Sequence, residues 1–221
     1  MNDSGFDIRE KVISSGVCEA LIGDLSSERD LRSRAGARHL MGHPAVARLA
    51  ERDELLEIAH RWLGARPIPY RATLFEKSPR QNWLAVWHQD TALPLASRIE
   101  SSEWGPWSTK KGVLYAHAPT WALSRIVALR IHLNASTSEN GPLRVIPGSH
   151  RGGVLSDEEV SKTARERPFV ECVVGQGGVL ALRPLLIHAS SKASGPPPRR
   201  VLHLEYADSL TLAPGIRLVV A

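Results

Sequence analysis

The chain has 221 residues, with 28 Lys and Arg against 23 Asp and Glu for a net charge of +5, and 43% apolar residues. That length suits one domain spanning 1–221, and the balance is that of a packed core rather than a disordered tail. No run approaches the ~18 apolar residues of a membrane span, and the opening MNDSGFDIREK has acids where a secretory signal needs bases, so a cytoplasmic protein with no membrane partner is expected.

Residues 1–66 read as helical. Val17, Ala20, Leu21, Leu25 and Leu31 recur at near-helical spacing over 16–35, with Asp24, Glu28 and Asp30 on the polar side. A second helical run covers Pro44 to Leu63, closed by Gly64. The arginines of this region, among them Arg29, Arg32, Arg34, Arg38, Arg48, Arg52 and Arg61, are interleaved with acids and read as a solvated surface. No aromatic or recognition-helix motif accompanies them, and no nucleic-acid partner is expected.

From residue 67 onward short β-favouring runs alternate with turn residues. They are Tyr70–Phe75, Trp83–Trp87, Gly112–Ala116, Ile126–Leu133, Leu143–Ile146, Phe169–Val174, Val179–Ile187, Val201–Tyr206 and Ile216–Val220. One helix interrupts them, with Ser156 as its cap and Asp157, Glu158 and Glu159 at its positive end. The expectation is a mainly β sandwich or jelly roll over 67–221 with the N-terminal helices packed on it. Cys18 and Cys172 have no disulfide or metal-ligand spacing, which suits a reducing compartment.

Chemistry concentrates in Trp87-His88-Gln89-Asp90. On extended backbone His88 and Asp90 point to one side, and an imidazole with a carboxylate makes two of the three ligands of a non-haem Fe(II) triad. The third should be a distant histidine. His39, His43 and His60 lie in the helical region, and His117 and His150 in turns. His132 and His203 sit within strands, and His203 reads equally as an outward or a polar core residue. His188 ends a largely apolar run beside Ala189 and Ser190, where a ligand has rigid support and access. Past a triproline come Arg199 and Arg200, either a surface pair or a fork for a bound carboxylate. A zinc hydrolase and a non-catalytic metal- or small-ligand-binding jelly-roll protein remain alternatives.

His88-Gln89-Asp90, the segment Asn140-Gly141-Pro142-Leu143-Arg144-Val145-Ile146-Pro147-Gly148-Ser149-His150-Arg151, and His188-Ala189-Ser190 followed by Arg199 together resemble the phytanoyl-CoA dioxygenase family over about residues 67–210. The resemblance implies a double-stranded β-helix (jelly-roll) core and Fe(II)- and 2-oxoglutarate-dependent hydroxylation of a small-molecule substrate by O2. It implies that His88, Asp90 and His188 bind iron, that Arg199 holds the distal carboxylate of 2-oxoglutarate with Ser190 assisting, and that Arg200 takes over if the register slips by one. The Asn140–His150 segment is assigned to structure, with Gly141 and Gly148 at tight bends. Because position 90 keeps its carboxylate, halogenation is disfavoured. Lys77, Asn82 and Arg130 are further candidates for contact with 2-oxoglutarate or a substrate carboxylate. Trp104 and Trp107, in a Gly- and Pro-bearing stretch over 101–111 beside Lys110 and Lys111, are expected to touch substrate as a lid.

Overall fold

Past the helical first third, strand side chains alternate between two destinations, and that alternation organises the molecule. The computed structural model describes residues 4–26, 32–33, 36–78, 82–195 and 198–221. Within them the first eight strands are β1 (Phe6–Arg9), β2 (Arg32–Ser33), β3 (Gly36–Arg38), β4 (Ile68–Lys77), β5 (Ala85–His88), β6 (Ala92–Leu95), β7 (Trp107–Lys110) and β8 (Val113–His117). The remainder are β9 (Ile126–His132), β10 (Leu143–Val145), β11 (Val170–Cys172), β12 (Val179–Leu182), β13 (His188–Ser190), β14 (Arg199–Ala207), β15 (Thr211–Ala213) and β16 (Ile216–Arg217). The helices are α1 (Ser15–Ser26), α2 (Pro44–Ala50), α3 (Asp53–Leu63), α4 (Thr120–Leu123) and α5 (Asp157–Glu166).

A seven-stranded sheet, β1-β12-β9-β14-β4-β3-β2, packs against a four-stranded one, β11-β10-β13-β5. Val127, Leu129 and Ile131 of β9, with Leu202, Leu204 and Tyr206 of β14, meet α1–α3 in one buried cluster. Ala128 of β9 and Leu180 and Leu182 of β12 turn the other way, onto Leu143 and Val145 of the small sheet. The mainly β jelly-roll expectation holds. Residues one step along each strand therefore line an interior between the sheets, and the polar ones among them form the site. No helix among the described residues is long and apolar enough to cross a membrane.

Local details depart from the sequence reading where backbone geometry overrides apolar spacing. The helix expected over 16–35 ends at Ser26, and Gly36–Arg38 forms a strand between β4 and β2. Gly36 has φ +135°, and a Cβ there would run into the Leu74 carbonyl, so close strand approach selects glycine. Leu31, Glu28 and Asp30 lie outside the described residues. The 44–63 run is two helices, broken where Glu51 leaves helical geometry and Arg52 is extended, and Asp53 and Glu54 then begin α3 at its positive end. The run 179–187 is a strand only to Leu182. It turns at Arg183-Pro184 and enters the other sheet as β13, proline being unable to donate to a ladder. The capping box of Ser156 and Glu159 forms as read. Leu129→Ala, which opens a hole between α3 and the large sheet, is expected to cost about 2–5 kcal/mol in urea unfolding.

Candidate metal centre and its surroundings

The two histidines meet because of register. β5 and β13 pair antiparallel with His88 directly opposite His188, so their rings lie 4.3 Å apart, centroid to centroid. Asp90 follows two residues after His88. Its N–H donates to the Pro184 carbonyl at 2.9 Å, and its carboxylate lies 3.4 Å from His188 Nε2 and 3.8 Å from His88 Nε2. The ligand atoms of all three lie within 4.8 Å of one another, close enough for one cation to reach them. Each imidazole also has its other nitrogen on a backbone carbonyl: His88 Nδ1 on Val86 at 2.7 Å and His188 Nδ1 on Leu186 at 2.8 Å. Each Nδ1–H donates to its carbonyl, so Nε2 is the nitrogen that each ring turns toward the carboxylate.

Electrostatics keep the trio ready for a cation. Burial alone would raise the Asp90 carboxyl, but charge and hydrogen bonding from His188, with His88 and His203 beyond, hold it well below the usual range. Burial and the neighbouring His188 lower His88, which favours its neutral, lone-pair-bearing form. Gln89, between the two ligands, points away and is tied three ways. Its Nε2 donates to the carbonyls of Leu185 (2.8 Å) and Gly153 (2.9 Å), and its Oε1 accepts from Leu155 N at 2.9 Å. Sequence reasoning passed over this residue, although its parity already placed it opposite the ligands.

Deeper between the sheets lies a nest of cations. Arg199 and Lys77 face each other across the β14–β4 pair and are both 1% exposed. Lys77 Nζ donates to Ser190 Oγ at 2.6 Å and to the Ser191 carbonyl, while Ser190 Oγ donates to Gly141 O at 2.9 Å. Gly141 has φ +68°, and an added Cβ would meet the Ser191 carbonyl, which explains a glycine in the Asn140–His150 turn. Asn140 braces that turn through Thr137 N and Ala135 O. Arg199 Nε and Nη2 have no hydrogen-bond partner among the described residues. Burial, and then Arg130, pushes its guanidinium down to about 9, and Lys77 falls to about 7 through burial and repulsion from Arg199, Arg130 and Arg144. His132, whose Nδ1 meets Ser136 Oγ at 2.9 Å, is driven to about 3 by burial beside Arg130 and Arg199.

The period of two settles the choice between the paired arginines. Arg199, Val201, His203 and Glu205 face inward, whereas Arg200 turns outward and joins Glu76 at 2.9 Å. Arg200 is therefore no substitute for Arg199. Asn82 is corrected too: its amide exchanges two hydrogen bonds with the backbone of Ala193, locking two loops together. Arg130 lies in the interior, its Nη1 donating to His203 Nδ1 at 3.2 Å, and His203 Nε2 donates to Glu205 at 3.0 Å. His203 thus fills a polar core slot. Trp104 is 4% exposed and packs edge-on to Trp121, and Trp107 belongs to β7 and lies against Arg98. Neither lines the cavity that opens at His88 and Asp90. Within 101–111, expected as a lid over the substrate, Trp107–Lys110 form β7, and Trp104 and Trp107 pack with the apolar cluster around Leu93, Leu95 and Leu123. His39, assigned to the helical region, reaches the same mouth, its Nε2 2.9 Å from Tyr115 Oη.

A sequence model described as phytanoyl-CoA dioxygenase matches residues 24–201. The chain belongs to the phytanoyl-CoA dioxygenase family. Among curated proteins, this family member is 27% identical over 188 residues to L-proline trans-4-hydroxylase from Streptomyces griseoviridis, covering 72% of this chain. It spans 62% of that relative, under two thirds of its length. Among solved structures, AviO1 from Streptomyces viridochromogenes Tue57 superposes with a TM-score of 0.64 at 24% identity, over 92% of this chain and 90% of that one. EctD from S. alaskensis, solved with 2-oxoglutarate and 5-hydroxyectoine, gives 0.69 at 22% identity over 93% and 72%. HygX from Streptomyces hygroscopicus, solved with nickel and 2-oxoglutarate bound, gives 0.66 at 19% over 93% and 83%. These structures share the fold of the dioxygenase family member described here.

Gln89→Leu, which removes three tethers from the backbone carrying both ligands, should leave the fold in place. It should weaken divalent-metal affinity by about 10–100-fold, read by competition with a fluorescent chelator.

Proposed function

We propose that the chain is a non-haem Fe(II)- and 2-oxoglutarate-dependent dioxygenase that hydroxylates an unactivated C–H bond of a small-molecule metabolite, in the cytoplasm. The observation that carries this reading is Arg199: a fully buried guanidinium with two N–H edges unanswered by protein, set in the same interior as a His-Asp-His trio. Burying such a charge costs several kcal/mol unless an anion answers it. A zinc hydrolase has no use for that arginine, and a keto-acid cosubstrate with a second carboxylate does. The proline hydroxylase relative, and the 2-oxoglutarate named with EctD and HygX, support the same reading.

The donor set suits ferrous iron: two imidazoles from the paired strands β5 and β13 and one carboxylate just past β5, with a hydrogen-bonded Nδ1 orienting each ring. When bound, Fe(II) supplies the centre at which O2 and 2-oxoglutarate yield succinate and CO2 while one oxygen atom enters the substrate C–H bond. The protein's own part is positional. His88, Asp90 and His188 would hold the metal, and Arg199 would form a forked pair with the distal carboxylate of 2-oxoglutarate. Ser190 Oγ would donate there once its proton turns from the Gly141 carbonyl, and Lys77 Nζ would hold a proton next to the anion. Leu143, Val145, Leu180 and Leu182 form a dry wall on one side of this interior, which strengthens those charge pairs. The two cysteines are buried and unpaired, in keeping with a reducing compartment.

An anaerobic mixture of protein, Fe(II) and 2-oxoglutarate should show a visible charge-transfer band that is lost in His188→Ala. Arg199→Met should keep metal binding but weaken 2-oxoglutarate by about 2–5 kcal/mol in calorimetry, the penalty for removing one half of a buried charge pair. Lys77 adds a pH signature. Its proton is held in the free protein only below about pH 7, and a bound dianion favours the charged form. Binding of 2-oxoglutarate above that pH should therefore take up a proton and weaken as pH rises, whereas below it no uptake occurs. Calorimetry in buffers of different ionisation enthalpy reads the difference, and Lys77→Met should abolish it.

A further inference from the structure

The cavity at the metal trio opens through a mouth whose charge the metal and the cosubstrate do not account for. It measures about 280 Å³, and the full charges lining it are Arg38, Arg71 and Lys110 against the single carboxylate of Asp90. Two of these four are already spoken for. Asp90 belongs to the metal trio, and Arg71 is neutralised by Glu205 at 2.5 Å with a further bond to the Ala92 carbonyl. Arg38 and Lys110 remain, and neither has an acidic partner among the described residues.

Their positions are built. Arg38 stands opposite Thr73 on the β3–β4 pair, and Thr73 lines the same cavity. Lys110 ends β7 just before the two-residue turn Lys111-Gly112, whose φ values of 48° and 81° give the tight hairpin that carries it over the opening. Its Nζ sits 4.8 Å from the centroid of the Tyr115 ring, which His39 stacks against from another side. Positive charge is crowded here: burial, then Arg38 and Arg71, lower the Lys110 ammonium, and burial with Arg38 and Arg71 first among the cations lowers His39. A bound anion relieves that repulsion, and a planar guanidinium beside an ammonium matches a carboxylate.

We propose that Arg38 and Lys110 form a substrate subsite that grips the carboxylate of a compact, amino-acid-sized acid and presents its carbon skeleton to the face of the cavity formed by His88 and Asp90. The cavity lies at the small end of ligand sites, which suits an acid of amino-acid size. Thr73 and Thr91 on the walls supply polar contacts for a second functional group. This substrate class rests on the dioxygenase reading above, with Arg199 and Lys77 serving the cosubstrate at the deeper end.

The test uses protein loaded anaerobically with Fe(II) and 2-oxoglutarate. It is titrated calorimetrically with L-proline, the other common L-amino acids and short monocarboxylates, each paired with its carboxamide, and with small phosphate monoesters. The expected result is that at least one acid binds while its amide binds about tenfold or more weakly. Arg38→Gln and Lys110→Met should each weaken that acid by a similar factor, leave the amide unchanged and retain the 2-oxoglutarate charge-transfer band. The subsite is refuted if no acid binds, if amides or phosphate esters bind as well as acids, if both variants keep the acid's affinity, or if Arg38→Gln loses the band. Absence of the band in the unaltered protein instead removes the dioxygenase reading, so the two failures are told apart.

Discussion

The antiparallel pairing of β5 with β13 is the constraint on which the site depends. It sets His88 across from His188, a hundred residues away in the chain, and no other pairing of these strands would aim both imidazoles at Asp90. A slip of one residue would turn one ring to the outside, because side chains on a strand alternate strictly. The register is held from beyond the strands. Gln89 spends its whole side chain on backbone groups, and Asp90 N–H is tied to Pro184, so the turn following β5 cannot drift relative to the loop before β13.

Behind the trio the interior departs from what a core usually tolerates. Arg199, Lys77 and Arg130 are all buried, with only neutral partners or none for the first two, and their mutual repulsion adds to the desolvation cost. The apolar cluster between the large sheet and α1–α3 offsets that cost on the opposite face of the same strands. Thus β4, β9 and β14 serve two ends at once: even and odd positions along a strand separate stability from chemistry by one residue.

Much of the site was legible in the chain. His88 and Asp90 declare themselves by their spacing on extended backbone, and His188 by ending an apolar run. In β4, Arg71 and Thr73 alternate with Ala72 and Leu74, but the apolar Phe75 and the charged Glu76 reverse the pattern, so its inward face was only partly legible. Less legible were features that depend on which strand lies beside which. Arg38 was one of the arginines read as a solvated surface, and it reaches the cavity because Gly36 allows β3 to press against β4. Trp104 stood in a loop rich in Gly and Pro, yet it packs into the apolar cluster with Leu93, Leu95 and Leu123. Tryptophans cluster for burial as readily as for binding, and spacing alone does not distinguish the two.

The sequence by itself determined the strand-rich class, the two histidines and one aspartate of the trio, and the capped helix after Ser156, because these follow from local period, local hydrogen bonding and residue chemistry. Only the tertiary structure decided that Arg199 and not Arg200 enters the interior, that Asn82 is a brace, and that two cations guard the mouth. Each of those is a question of facing, and facing is set by partners distant in the chain, through pairing registers that local propensity does not encode.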